Sequence, residues 1–266
     1  MKRGDLTWGL FAVCFGLCFL VPCSRANAED QELSPAGVAL RRLLEEYDQN
    51  RDPRAFAPKF FQLAKQHPED PAAVDALAWI AANLRRKPES IQAIEALERG
   101  HLQSERLAEA CRQVAGTLSP SAERLLQRAL KESPHAKVQS QACYQLVGLL
   151  QEQERLARRL QEQPDQRPRA QQYYGKELTN RLFDLDFKKT ERRKEDLFEK
   201  MLKSFADVPL AEGTMGELAE KSLFAIRRLS VGKVAPEIES EDIDGNKFKL
   251  GDYRGKVVLL SFWGHW

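Results

Sequence analysis

At 266 residues with 42% hydrophobic side chains, the chain is long enough for more than one compact unit. Its 41 basic and 39 acidic residues give a formal net charge of +2, which excludes general electrostatic attraction to nucleic acid or to an anionic membrane. The 5 cysteines cluster at Cys14, Cys18 and Cys23 and then thin to Cys111 and Cys143, so they do not form a disulfide framework.

The first 28 residues differ in kind from the rest. Lys2 and Arg3 precede an apolar run from Leu10 to Val21, followed by Pro22 and the small-residue sequence Ala26-Asn27-Ala28. That layout predicts a secretory signal peptide cleaved after Ala28, because a short apolar helix engages the export machinery and small side chains fit the peptidase pocket. The run falls short of the ~18 to 20 residues that cross a bilayer, so no stable membrane span is expected after cleavage. In Leu20-Val21-Pro22-Cys23, proline stands where a lipoprotein box needs a small residue, which disfavours lipidation. Loss of Lys2, Arg3, Arg25 and Asp5 leaves 38 basic and 38 acidic residues and a net charge of zero. The expected location is periplasmic or otherwise extracytoplasmic.

From Glu29 to Ser230 apolar residues recur at three- and four-residue spacing, which predicts one amphipathic helix after another. Stripes run through Leu40, Leu43, Leu44 and Tyr47, then through Val74, Leu77, Ala78, Ala81 and Leu84. Ala122, Leu125, Leu126 and Ala129 continue the series, as do Val138, Ala142, Leu146 and Leu149. Later come Leu197, Phe198, Met201, Leu202 and Phe205, and last Leu218, Ser222, Ala225 and Leu229. Ser34-Pro35, Asp52-Pro53, Asp70-Pro71, Ser119-Pro120 and Ser133-Pro134 predict helix starts, each pairing a capping oxygen with a proline suited to the first turn. Short antiparallel helices result, as in a bundle or an α-solenoid.

Ala110-Cys111-Arg112-Gln113-Val114-Ala115-Gly116-Thr117-Leu118 recurs 32 residues on as Ala142-Cys143-Tyr144-Gln145-Leu146-Val147-Gly148-Leu149-Leu150. The period is near the ~34 residues of tetratricopeptide-type helix pairs, and the alternative is a simple bundle. Equivalent positions on stacked helices lie roughly 10 Å apart, whereas a disulfide needs Cα atoms within ~7 Å. Cys111 and Cys143 are therefore expected to be small core residues and not a redox couple. Residues 29–163 form the helical, repeat-like region on this reading.

Residues 151–172 are rich in Gln, Glu and Arg, which predicts a solvated helix ending near Gln163 and then a linker around Pro164 and Pro168. Residues 164–230 are thus expected to hold a linker and further helices. The basic run Lys188 to Lys194 is followed at once by Glu195 and Asp196 and reads as a solvated helix face. Asp184 and Asp186 lie two residues apart, a spacing that points side chains to opposite sides of a helix, so they do not form a catalytic pair. His67, His101 and His135 share no metal-ligand spacing, and neither a metal nor a cofactor is expected.

At Val231 the texture changes, with Gly232, Gly245, Gly251, Gly255 and Gly264 falling close together. Glu237 to Ile243 predicts a strand, Asp244-Gly245-Asn246 a tight turn, and Lys247 to Leu250 a second strand. Val257-Val258-Leu259-Leu260-Ser261-Phe262-Trp263 is apolar on both faces, which suits a central strand covered by helices. The fold class is mainly α, with helices followed by the opening of an α/β domain at residues 231–266.

Gly232 to Ile238, Asp244-Gly245, Leu250 to Leu260 and Phe262-Trp263-Gly264-His265-Trp266 together resemble the opening of a TlpA-like thioredoxin domain, of the redoxin family of thiol:disulfide oxidoreductases. The Trp263 and Trp266 pair favours this branch over peroxiredoxins, which share the hairpin and strand. The resemblance implies a Cys-x-x-Cys directly after the last tryptophan, its first cysteine at a helix N-terminus where backbone N–H groups and the dipole stabilise the thiolate. Phe262, Trp263 and Trp266 would then flank the motif. His265 either tunes that thiolate or is a solvent-facing loop residue.

The 266 residues contain no Cys-x-x-Cys, so by themselves they are expected to be inactive in the exchange. A fragment boundary, a nonsense or frameshift change, and a UGA codon read as selenocysteine all fit a stop at Trp266. The expected partners are a protein disulfide substrate or redox partner, and a further protein on the helical region. The competing reading is a helical-repeat scaffold that only binds another protein.

Overall fold

The structure is a computed structural model that describes residues 33–261. The chain divides into two units, Met1–Leu33 and Ser34–Trp266. The described residues of the second form helices α1 (Pro35–Asn50), α2 (Pro53–Gln66), α3 (Pro71–Asn83), α4 (Pro88–Gly100), α5 (Leu107–Ala115) and α6 (Pro120–Glu132). They continue with α7 (Ala136–Glu162), α8 (Arg167–Tyr174), α9 (Lys176–Phe183), α10 (Phe187–Ser204) and α11 (Met215–Phe224). Strands β1 (Glu239–Glu241) and β2 (Lys247–Lys249) make a two-stranded antiparallel sheet. The mainly α class is borne out.

Four of the five Ser/Asp-Pro pairs start helices as expected. Ser34 accepts from the Gly37 N–H, Asp52 from Arg54, Asp70 from Ala72 and Ser119 from Ala122, each beside a proline in the first turn. Ser133-Pro134 departs from the pattern. Ser133 ends α6, and α7 begins only at Ala136 after His135. Pro88 opens α4 with no capping oxygen from Lys87, so nothing but the proline marks that start in the sequence.

Each helix from α1 to α7 must cover an apolar face, and two sets of contacts do so. Sequence neighbours pack at α1–α2, α2–α3, α3–α4, α5–α6 and α6–α7, and α1 also packs on α3, α3 on α5, and α5 on α7, while α4 packs on α6. Small side chains permit the approach: Ala73, Ala81, Ala110, Ala122 and Ala142 are fully buried. The recurring segments of α5 and α7 thus lie against each other, with Cys111 and Cys143 both buried and unpaired. The second half of α7 belongs to a smaller core formed by Leu156, Ala157 and Leu160 with Ala170, Leu178 and Leu182 of α8 and α9.

Three local expectations are corrected. The polar stretch after Gln151 is not simply solvated, because its few apolar residues fall on one face and are buried in the smaller core. Pro164 opens a 3₁₀ turn (Pro164–Gln166) and Pro168 sits in the first turn of α8, so both initiate helical structure where a linker was expected. On α11 the buried face is Met215, Ala219 and Leu223, whereas Ala225 and Leu229 are exposed. Ala225 and Leu229 lie beyond α11, where the backbone widens to a π-helix over Ala225–Leu229.

Acidic side chains tie the later helices to the earlier ones. Glu123 of α6, almost wholly buried, accepts from Arg193 of α10 at 2.6 Å and from Arg181 of α9 at 3.0 Å. Glu154 of α7 pairs with Lys194 at 2.5 Å and Arg158 at 2.7 Å. The basic run is therefore only partly a solvated face: Lys188, Lys189 and Arg192 are exposed, while Arg193 and Lys194 anchor α10. Asp184 ends α9 and Asp186 caps α10 by accepting from the Lys189 N–H, so the two lie in a turn between helices.

Burial alone pushes the Glu123 carboxyl up, but the hydrogen bonds and charges of Arg193 and Arg181 outweigh it and hold the group below the usual carboxylate range. Glu123→Ala should lower the unfolding free energy by about 2 kcal/mol at neutral pH, because it leaves two guanidinium groups without their acceptor. A lowered folded-state pKa means that the contribution is complete above the unfolded carboxyl value and is lost as pH falls through the folded one. Urea denaturation of both proteins from pH 7 into the acid range checks this, with the difference shrinking toward acid; equal midpoints at pH 7 would contradict it.

Candidate functional site

The segment from Val231 is held by its own short-range bonds. β1 and β2 pair in antiparallel register, Glu239 opposite Lys249 and Glu241 opposite Lys247, with a 2.5 Å ion pair between Glu239 and Lys249. In the turn, the Asp242 carboxylate accepts from the Asp244 and Asn246 N–H groups at 2.9 and 2.8 Å. Gly245 takes φ 82, a left-handed conformation that favours a residue without Cβ. The hydrogen bonds from the Asn246 side chain and backbone hold the Asp242 carboxyl below its ordinary range.

After the hairpin, the Glu237 side chain accepts from the Gly251 N–H at 2.7 Å and the chain makes a 3₁₀ turn over Leu250–Tyr253. The predicted hairpin is present, though each strand is only three residues long. The predicted central strand is not formed: Val257–Leu260 has no strand partner among the described residues, and Val257 and Leu259 are fully exposed. An apolar strand needs neighbouring N–H and C=O groups and covering side chains, and neither is present there among the described residues. Phe262, Trp263, His265 and Trp266 lie outside the described residues.

Among the described residues neither cysteine is placed for thiol chemistry. Burial pushes the Cys111 and Cys143 thiols up to about 12 each, so both are protonated at neutral pH. The Cys143 Sγ instead donates to the Leu197 carbonyl at 3.6 Å, linking α7 to α10. His67, His101 and His135 sit at helix ends, and no metal-binding cluster of His, Cys, Asp or Glu occurs among the described residues.

One concave surface is not foreshadowed by the sequence pattern. A groove of about 530 Å³ lies between the second half of α7 and α8, with the buried residues Leu156, Leu160 and Ala170 as its floor. Arg159, Arg169 and Tyr173 are exposed along its rim. The signal for it was Tyr173-Tyr174, an aromatic pair in an otherwise polar stretch. No helix among the described residues is long and apolar enough to cross a membrane.

No family model matches the chain, and no solved structure matches it. Its similarity to curated proteins is to thiol-disulfide oxidoreductases, a thioredoxin-like redox family, over a small part of its length. Among them are thiol-disulfide oxidoreductase ResA of Geobacillus thermodenitrificans, 47% identical over 38 residues, or 14% of this chain and 22% of the relative. ResA of Bacillus thuringiensis is 36% identical over 58 residues, or 21% of this chain and 34% of the relative. The chain therefore spans about a fifth to a third of the length of these relatives.

The buried state of the two thiols has a direct readout. Under native conditions Cys111 and Cys143 should resist alkylation by iodoacetamide and react fully once the protein is unfolded, followed peptide by peptide in the mass spectrometer. Rapid native alkylation of either residue would contradict the burial.

Proposed function

We propose that the chain is an exported member of the thioredoxin-like thiol:disulfide oxidoreductases. On this reading Val231–Trp266 opens the redox domain, residues 29–163 form a tetratricopeptide-like region, residues 164–230 add a linker and further helices, and the helical region docks a protein partner. The observation that carries it is the 47% identity to thiol-disulfide oxidoreductase ResA over 38 residues, a length close to that of the segment from Val231 to Trp266. The hairpin at β1 and β2, with glycine at its left-handed position, supports the same assignment. Residues 1–28 support export, with cleavage after Ala28.

The chemistry is thiol–disulfide exchange. A cysteine thiolate attacks one sulfur of a substrate disulfide and the other sulfur leaves as a thiolate, giving a mixed disulfide; a second cysteine then displaces the bound sulfur, so that substrate is reduced and the enzyme pair oxidised. Cys111 and Cys143 take no part, since both are buried and protonated. By the resemblance, Phe262, Trp263 and Trp266 would flank the reactive pair, and His265 would tune the thiolate or stand as a solvent-facing loop residue.

A scaffold that only binds a partner is the second reading. The packing of α1 on α3, α3 on α5 and α5 on α7 supports it, because such stacking builds an extended surface suited to protein binding.

Two measurements decide between them. Sequencing the transcript past codon 266 should reveal an in-frame Cys-x-x-Cys, or its selenocysteine counterpart, directly after Trp266; a transcript with neither would overturn the reductase. Capture of the tagged protein from the exported fraction, with thiols blocked, should yield partners that reductant releases, whereas partners held regardless of reductant favour the scaffold.

A further inference from the structure

The groove between α7 and α8 combines an apolar floor with cations that lack carboxylate partners. Leu156, Leu160 and Ala170 are buried in the smaller core and present their outer surface to the groove. Arg159 and Arg169 line its rim, and neither is ion-paired among the described residues. By contrast, Arg155 and Arg158, adjacent on α7, are held by Glu152 and Glu154.

A third guanidinium reaches the same place from another element. Arg86, in the loop between α3 and α4, stacks over Tyr173 with its carbon 4.1 Å from the ring centroid. It does so from φ 66, a left-handed conformation that side-chain-bearing residues rarely adopt. It too makes no ion pair among the described residues. Arg155 and Arg158 are neutralised by Glu152 and Glu154, so the uncompensated charge beside the groove is that of Arg159, Arg169 and Arg86, in a chain whose overall charge is close to zero. The field at the groove is therefore local and positive.

We infer that this groove docks an acidic segment of a protein partner, one that carries an apolar or aromatic anchor. Carboxylates of the segment pair with Arg159 and Arg169, and the anchor packs on Leu156, Leu160 and Ala170 beside Tyr173. An extended peptide is favoured over a small molecule because the rim is exposed, whereas small-ligand sites enclose most of the ligand surface. The inference rests on the helical region being a docking module and needs no redox chemistry.

The test uses the full chain and a fluorescein-labelled synthetic peptide with Asp and Glu on both sides of a central Phe, read by fluorescence anisotropy. Saturable binding is expected, weakened about tenfold or more by the pair Arg159→Glu and Arg169→Glu and severalfold by Tyr173→Ala. The pair Arg41→Glu and Arg42→Glu on α1 makes the same charge change away from the groove and should leave binding within about twofold. Circular dichroism confirms folding, and Arg159→Gln with Arg169→Gln replaces the reversal should it unfold. Absence of saturable binding, indifference to the groove variants, or equal loss in the α1 pair would overturn the inference. Peptide binding without partners trapped as mixed disulfides would remove the redox reading and keep the groove, and trapping without peptide binding would do the reverse.

Discussion

Close approach of helices is the constraint on which the rest of the molecule depends. Between α1 and α7 most helices bury one face against a sequence neighbour and another against a helix two away, as α3 does with α2, α4, α1 and α5, and buried small side chains let them approach. Ala73, Ala81, Ala110 and Ala142 occupy such positions with no exposed surface worth counting. Larger residues there would force the helices apart and strain the packing. Cys111 and Cys143 belong to the same set, small apolar groups in equivalent segments of packed helices, and this placement keeps them out of thiol chemistry.

The length of α7 arises from serving two cores. Its first half closes the larger core with α5, α6 and α10, and its second half starts the smaller one with α8 and α9. Two carboxylates drawn out of solvent bridge the regions, Glu123 to Arg181 and Arg193, and Glu154 to Lys194. Charges at this depth need partners, so the basic run of α10 is divided between anchoring and solvent. The rim of the α7–α8 groove is where basic side chains remain without such partners.

Helix periodicity was legible wherever a stripe had a matching neighbour, as at Ala122, Leu125, Leu126 and Ala129, and capping chemistry located four helix starts. The hairpin was legible from Asp244-Gly245-Asn246. What the sequence hid depends on tertiary context: the buried face of α11 and the π-helical widening that follows it, and the prolines at 164 and 168, which initiate helical turns as readily as they break them. The groove was hidden because its floor and its aromatic rim are brought together only when α8 folds back on α7. The run at Val257 has strong strand character, yet strand structure is cooperative with a partner, and none is present among the described residues.

The helical layers form a stable body on their own contacts, whereas among the described residues the segment after Ser230 is held by its hairpin and turn alone. Residue-resolved hydrogen exchange tests it most directly. Amides in α3, α5 and α7 should exchange only through global unfolding, while those of Val257–Leu260 should exchange nearly as fast as in an unfolded chain. Protection of Val257–Leu260 equal to that of α7 would contradict the account.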